Sequence, residues 1–357
     1  MGKTWRFAGV NFSHMHMGDL LQHVADDPRA ELVAICDENR DAMRAVEASL
    51  GLDSQKAFTD YRKCLEQTRP DVVVLCPPPA EHALWVDRVA ALGVHLFVEK
   101  PFAASLADAD RMIAAAAQSG KMLMINWPLR WVASHVTTHR LIREGRIGDV
   151  LEVHYYDGNR GPLYHGAGKA ELQPTAEQKK SSWWYSPAAG GGSLRDYLGY
   201  GVTLATWFNG GKIPVEVTTV VDEPPGLEVD EHSITIVKYR DGLSKFETRW
   251  GTLSDPWTHQ PLPKCGFVVR GTRGAIASYD YDATVRLQTC DCPAGVDHPV
   301  DELPAGERHG IEYMITRLDA GLDPEGPLSP MTARIGQQIV DAALRSAHER
   351  RTVPLEN

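Results

Sequence analysis

The side chains with the clearest capacity for chemistry lie in two places. Lys100 belongs to Glu99-Lys100-Pro101, directly after the apolar run Val94-His95-Leu96-Phe97-Val98. A lysine at a strand end stands in the crevice where open α/β sheets bind ligands, and Pro101 ends the strand so that the ammonium is aimed. Further on, Gly190-Gly191-Gly192-Ser193-Leu194-Arg195-Asp196 runs on to Tyr200. Asp196 and Tyr200 are four residues apart in a helix-like stretch, so they share a face. An aimed ammonium, a carboxylate and a phenol are a set suited to moving protons.

The elements before Lys100 are a series of short, nearly all-apolar strands. They are Trp5-Arg6-Phe7-Ala8-Gly9-Val10, Leu32 to Cys36, Asp71 to Cys76 (stopped by Pro77-Pro78-Pro79) and Val94 to Val98. Unbroken apolar strands are expected where helices cover both faces of a sheet. Helical stretches separate them, from near Ser13, from Asp41 to Leu50, from His82 to Leu92 and from Leu106 to Gln118. Ser105 with Asp108 predicts a capping box at the start of the last. The alternation predicts a doubly wound parallel sheet.

The loop after the first strand reads Gly9-Val10-Asn11-Phe12-Ser13-His14, which keeps only the first glycine of G-x-G-x-x-G. A dinucleotide reading survives because a helix N-terminus offers N–H groups and a positive dipole end. Asp37 also ends the second strand where an acid binds ribose hydroxyls. Glu38 follows it, and two carboxylates oppose a 2′-phosphate, so NAD is expected rather than NADP. His14 and His16 could donate to phosphate or flank the nicotinamide; their plain alternative is packing at a helix start. The pair has no evident third ligand, so no metal centre is expected.

From about residue 126 the pattern alternates: Val150 to Tyr156, Val215 to Val221, Ser233 to Tyr239, Ser244 to Trp250, and Phe267-Val268-Val269. Asp241-Gly242 predicts a hairpin turn, and the whole an antiparallel sheet with one wetter face. A final helix is expected over about 332–349, and a long glycine- and proline-rich loop over 157–192. The expected domains are therefore 1–125 and 126–357. The chain has 357 residues and a net charge of −10, which argues against nucleic acid or an acidic membrane as partner. No long apolar run predicts a membrane span or, at Met1 to Arg6, a signal peptide, so a cytoplasmic location is expected. The six cysteines are expected to be reduced structural thiols.

Several segments, in this order and spacing, resemble the Gfo/Idh/MocA oxidoreductases, named for glucose–fructose oxidoreductase, inositol dehydrogenase and rhizopine catabolism. They are Leu96 to Phe102, Cys76-Pro77-Pro78-Pro79 with His82, Asn126-Trp127-Pro128-Leu129-Arg130, Gly145-Arg146-Ile147-Gly148, Gly190 to Asp196, and Ser346-Ala347. The resemblance implies an N-terminal Rossmann domain and a C-terminal α+β domain on an open antiparallel sheet, through which homodimers or homotetramers form. It implies NAD as cofactor, held by Gly9, Asn11, Phe12, Ser13, His14, Asp37, Cys76, Pro77, Pro78, His82, Glu99, Lys100 and Asn126. Lys100 and Asp196 match the family's motif lysine and aspartate, and Tyr200 stands where most members have histidine. A phenol of pKa about 10 needs a cation beside it to act as a base, a part Lys100 could play. The reading that follows makes Tyr200 the acid/base, with Lys100 tuning it and Asp196 orienting substrate; the plain alternative for Tyr200 is packing. The substrate side implies Trp127, Arg130, Tyr164, His165, Trp183, Trp184, Arg195 and Asp196, with Trp131, Tyr155, Tyr156 and Tyr185 as further rings. Arg130, Arg160, His165, Lys179, Lys180 and Arg195 hint at an anionic sugar. The leading expectation is an NAD-dependent sugar or polyol dehydrogenase. The alternative is a glycoside hydrolase that oxidises its sugar transiently around tightly bound NAD, with Tyr164, His165 or Tyr185 as an added base. A non-catalytic dinucleotide sensor is a third.

Overall fold

The computed structural model describes residues 3–355 and resolves two compact units. The outermost residues of the expected domains, and the start of the Met1–Arg6 segment, lie outside that range. The first unit comprises residues up to Pro128 with His165–Leu172 and Pro304–Pro330; the second comprises Leu129–Tyr164, Gln173–Leu303 and the chain from Met331 on. The stretch 304–330, assigned by sequence to the second domain, thus folds with the first.

In chain order the first unit contains β1 (Trp5–Val10), α1 (His16–Asp26), β2 (Ala30–Cys36), α2 (Arg44–Leu50), β3 (Ala57–Phe58), α3 (Tyr61–Thr68), β4 (Val72–Leu75), α4 (His82–Ala90), β5 (His95–Glu99), α5 (Leu106–Ser119) and β6 (Leu123–Asn126). The six strands are parallel in the order β3-β2-β1-β4-β5-β6. The order reverses between β1 and β4, and the loops leaving their C-terminal ends flank the crevice where such sheets take ligands. Helix α1 lays Leu20, Leu21 and Val24 on the sheet, each worth about 1.5–3 kcal/mol on burial. Gly9 makes that approach possible, since a Cβ there would sit 2.9 Å from Leu21 Cδ1.

Sequence reading placed the start of α1 near Ser13, three residues early, because the loop holds its own bonds before the helix begins at His16. It also missed β3 and β6, which are two and four residues long, and α3, in which only Tyr61, Cys64 and Leu65 are apolar. The capping box at α5 is half formed: Ser105 Oγ accepts the Asp108 N–H at 3.1 Å, while the Asp108 carboxylate takes the Ser105 hydroxyl at 2.7 Å.

The second unit follows with α6 (Ala133–Arg143), β7 (Val150–Asn159), α7 (Ala176–Ser181), α8 (Ser193–Phe208), β8 (Glu216–Asp222), β9 (His232–Tyr239), β10 (Gly242–Trp250), β11 (Gly266–Gly271), β12 (Gly274–Tyr279), β13 (Thr284–Thr289) and β14 (Cys292–Pro299). After α9 (Gly310–Ala320), which belongs to the first unit, come α10 (Pro330–Glu349) and β15 (Val353–Pro354). The nine-stranded sheet has the order β14-β13-β12-β11-β7-β10-β9-β8-β15. It is mixed rather than antiparallel, because β7 and β10 pair in parallel, His154 opposite Lys245. Gly242 is not a turn residue either. It pairs with Tyr239, leaving Arg240 and Asp241 as the turn, and it is glycine because a Cβ would overlap the main chain of Leu151.

Candidate active site

In the first unit, the glycine-poor loop meets its geometric demands with other residues. Asn11 stands at the second-glycine position and adopts φ +66°, the left-handed region, which asparagine tolerates better than most side chains. Its Oδ1 accepts the Ser13 N–H at 3.1 Å. Asp37 Oδ2 accepts the Phe12 N–H at 2.6 Å and Oδ1 the Asn39 N–H at 2.7 Å. Asn11 N–H goes to Cys36 O at 2.9 Å, His14 N–H to Cys76 O at 3.1 Å and His16 N–H to His14 Nδ1 at 3.1 Å. The Asn11, Phe12, Ser13, His14 and His16 N–H groups are therefore already bound, to acceptors in the loop and at the ends of β2 and β4. Asp37 still fits a ribose diol, since each carboxylate oxygen has a second lone pair, and with Glu38 beside it the strand end suits NAD rather than a 2′-phosphate.

Around Lys100 the chain is densely polar yet buried. Lys100 is 5% exposed and the Lys100–Pro101 peptide is cis. Glu99, 1% exposed, has both oxygens engaged: Oε1 with His16 Nδ1 at 2.9 Å and Oε2 with Asn126 Nδ2 at 2.7 Å. Burial works against its charge, but His16, then Lys100 and the Asn126 amide, outweigh it and hold its carboxyl below the usual range. His14 is buried and pushed well below an ordinary histidine by that burial and by His16, Lys100, His82 and His165 nearby. It accepts a main-chain N–H at Nδ1, so its proton sits on Nε2.

Not every expected cofactor residue is presented to a ligand. His82 is buried with one ring nitrogen 3.0 Å from Phe102 O and the other 3.0 Å from Pro77 O, two carbonyls competing for the one proton of a neutral ring. It is a clamp between the segment after β4 and the segment after Lys100. The Cys76 thiol is fully buried and pushed up by that burial. Pro77 is buried beside it, while Pro78, Phe12 and Ser13 retain exposure. The sequence showed no third ligand-type residue for the His14–His16 pair, and the structure supplies one. The fold brings Glu99 to them, with one ligand-type atom of each within 4.8 Å of the others.

In the second unit, Asp196 is buried in the first turn of α8 and Tyr200, half-buried, is one turn further on. The Tyr200 ring lies 5.6 Å from that of Tyr197, and the Tyr155 hydroxyl donates to Asp157 at 2.7 Å close by. Gly201 lets α8 sit on the sheet, because a Cβ would come 2.6 Å from Tyr155 Cδ1. The N-terminus of α8 is capped from elsewhere in the chain. Asp230 Oδ2 accepts the Leu194 N–H at 2.8 Å, and burial pushes the Asp230 carboxyl up to about 7. No local pattern announced Asp230, which lies 36 residues from its partner.

The expected sugar-binding rings and cations divide. Trp127 and Trp184 are 2% and 4% exposed and present no ring face to solvent. Trp183 stacks on Trp184 at 3.7 Å between centroids and keeps partial exposure. Arg160 is spent on the buried Asp255, its main-chain N–H and Nε donating at 2.9 and 2.8 Å. Lys179 lies 3.9 Å from Glu231 and over the rings of Tyr164 and Tyr185, at 5.3 and 5.4 Å. Arg130 rests 5.7 Å over Trp207. Arg195 is held below its ordinary basicity by burial. Tyr185, a candidate base, is pushed above an ordinary phenol by burial and Glu231, which disfavours its losing a proton. His165 falls with the first unit, in an isolated bridge with Glu171, rather than with Tyr164.

The sheet order and the crevice at the ends of β1 and β4 define a doubly wound, dinucleotide-binding class of fold, and comparison with known proteins gives its family. Residues 4–127 match the family model described as the oxidoreductase family, NAD-binding Rossmann fold, and residues 135–277 match the GFO/IDH/MocA C-terminal domain. The chain belongs to the GFO/IDH/MocA oxidoreductase family. It is 33% identical over 119 residues to D-apiose dehydrogenase of Paraburkholderia graminis, a match covering 33% of this chain and 31% of that protein. It is 29% identical over 167 residues to Glycosyl hydrolase family 109 protein 1 of Akkermansia muciniphila, covering 44% and 34%. The chain thus spans about a third of the length of these curated relatives. The fold matches the crystal structure of aldose-aldose oxidoreductase from Caulobacter crescentus complexed with glycerol, with a TM-score of 0.79, 19% identity and coverage of 99% of this chain and 100% of that one.

Proposed function

We propose that the protein is an NAD-dependent oxidoreductase that transfers a hydride between nicotinamide and a hydroxyl or ketone of a sugar or polyol. The observation that carries this is Lys100, buried at the C-terminal end of β5 in an NAD-binding Rossmann unit. NAD supplies the hydride acceptor. Oxidation of an alcohol also releases the hydroxyl proton, and the chain's own residues must take it. Tyr200 is proposed as that acid/base, Asp196 as the group orienting substrate and Lys100 as the cation that stabilises the developing alkoxide. Because Arg160 and Lys179 are neutralised by Asp255 and Glu231, a neutral sugar or polyol is supported better than an anionic one.

The glycoside hydrolase reading keeps one specific support, the likeness to a relative named for that activity. Purified protein incubated with NAD, free sugars and aryl glycosides separates the two. Steady NADH from free sugar supports the dehydrogenase, and aglycone release without net NADH supports the hydrolase. Tyr200→Phe is expected to lower turnover about 10²–10⁴-fold; full turnover with an unchanged pH profile removes Tyr200 from the role. A homo-oligomer through the nine-stranded sheet is proposed as well. Val220, Ile234, Ile236 and Val268 are exposed on one face, since the pairings Val220–Ile234, Ile236–Lys245, Lys245–His154 and His154–Val268 put their rows on the same side.

A further inference from the structure

His16 and Glu99 form an arrangement that the hydride step does not use. Glu99 is buried at 1% exposure, anchored through Oε2 by Asn126, and turned so that Oε1 meets His16 Nδ1 at 2.9 Å. A fixed, ionised carboxylate on Nδ1 places the imidazole proton there and leaves the lone pair on Nε2. The His16 side chain is 33% exposed whereas its carboxylate is sealed, so the ring reaches a ligand from an immobile base. Its own main-chain N–H is bound by His14 Nδ1, which fixes the ring's root. Glu99 is the neighbour in sequence of Lys100, so the pair stands at the same strand end as the motif lysine. Nucleophile- and base-bearing sites are recognised by this order of parts, a base with a third group orienting it.

The same three residues also make a plausible set of ligands for a cation. Against that, His14 has its only lone pair engaged by the His16 N–H, and Lys100 adds positive charge to the cluster. A metal would have to displace a main-chain hydrogen bond and enter a site already carrying an ammonium.

We infer that His16 is a second proton-transfer residue of this protein, its Nε2 removing the carbon-bound proton next to a ketone of the substrate, with Glu99 as the positioning carboxylate. The inference rests on the proposed oxidoreductase reading, which supplies the ketone: NAD is the oxidant, and the carbinol loses a hydride and its hydroxyl proton. In the step assigned to His16 the C–H bond breaks, the proton goes to Nε2, and the electron pair enters an enolate whose charge rests on the ketone oxygen. A simple dehydrogenase has no need of this step; a protein that breaks a bond beside the oxidised carbon does.

Two measurements test it. The first needs no substrate. In histidine-¹⁵N-labelled, NAD-loaded protein, with the His16 signals assigned from H16Q, Nε2 is expected as the unprotonated nitrogen at neutral pH, a preference lost in E99Q and restored in part by E99D. A proton on Nε2, or coordination of added Zn²⁺ by His14 and His16 in the wild type, overturns the dyad. The second follows deuterium from D₂O into p-nitrophenyl glycosides of glucose, galactose and glucuronic acid, alongside the NADH signal. Wild type is expected to exchange the proton next to the transiently oxidised carbon. H16Q is expected to slow that exchange at least about a hundredfold, and by more than it slows hydride transfer. Hydride transfer without exchange in the wild type, or equal loss of both in H16Q, overturns the role of His16 alone. Neither signal with any glycoside overturns the role of His16, whatever the tautomer, and leaves the oxidoreductase reading to its own test, NADH from free sugars and polyols, whose failure would remove both.

Discussion

At the scale of single residues, Asn11 shows how a nucleotide-binding loop can work without its middle glycine. An L-residue in the left-handed region costs about 1–2 kcal/mol, which the Asn11 side chain offsets in part by binding the Ser13 N–H. Asn11→Gly is therefore expected to leave stability within about 0.5 kcal/mol and to tighten NAD, because Ser13 regains a donor for phosphate; weaker NAD binding by titration calorimetry would count against this. Asn11→Val is expected to cost about 1–3 kcal/mol in urea unfolding, since a β-branched side chain has no such compensation. Lys100, Asp196 and Tyr200, the residues proposed to react, could be singled out in sequence because they sit in patterned surroundings. Their partners could not. Glu99 meeting His16 depends on a sheet order that juxtaposes segments 83 residues apart, and neither residue's local pattern contains that fact.

Among the elements, α8 carries both residues proposed to act from the second unit, Asp196 and Tyr200. Its N-terminus leans on Asp230, whose carboxyl is pushed up to about 7 by burial. An unfolded aspartate titrates near 3.9, so between about pH 4 and 7 the folded protein holds a proton that the unfolded chain has lost. The stabilising effect of protonated Asp230 is full below pH 4 and is lost as pH rises through 7. Urea unfolding of wild type against Asp230→Asn should show the wild type's relative stability declining by about 1–3 kcal/mol across that window and flat above it; a rise with pH contradicts the assignment. Gly242→Ala should destabilise by several kcal/mol, on the order of 2–4, because the added methyl meets the main chain of Leu151 rather than a side chain that can turn away. Sequence periodicity found the strands of the second sheet as far as β11. It did not find the parallel pairing of β7 with β10, because alternation looks the same in either direction, and it mistook a close-approach glycine for a turn glycine.

For the molecule as a whole, burial keeps a set of histidines neutral. His95, His135, His139 and His309 are each pushed down to about 4, burial being the largest cause in every case. In the unfolded chain they take up protons near pH 6.5. Folded stability is therefore fully present above about pH 6.5 and is lost as pH falls toward 4, with each group contributing at most about 1.4 kcal/mol per pH unit. Melting temperature should drop steeply over that interval, and a flat profile from pH 7 to 4.5 would refute it. The exposed apolar row on the nine-stranded sheet offers a second test at this scale. Ile234→Asp with Ile236→Asp should lower the sedimentation mass of any assembly while leaving the far-UV spectrum unchanged.

The return of residues 304–330 to the first unit also bears on how the protein is born. Gly310 packs against Phe97 and Asn126, Thr316 receives Arg29, and Asp319 accepts the Trp5 indole N–H at 2.8 Å. A nascent chain that has released Pro128 still lacks these contacts until roughly 180–190 more residues have left the ribosome, an interval on the order of 10–40 s at about 5–20 residues per second. During translation the dinucleotide unit must wait for its last segment, and the second unit, apart from the chain from Met331 on, is synthesised inside that wait.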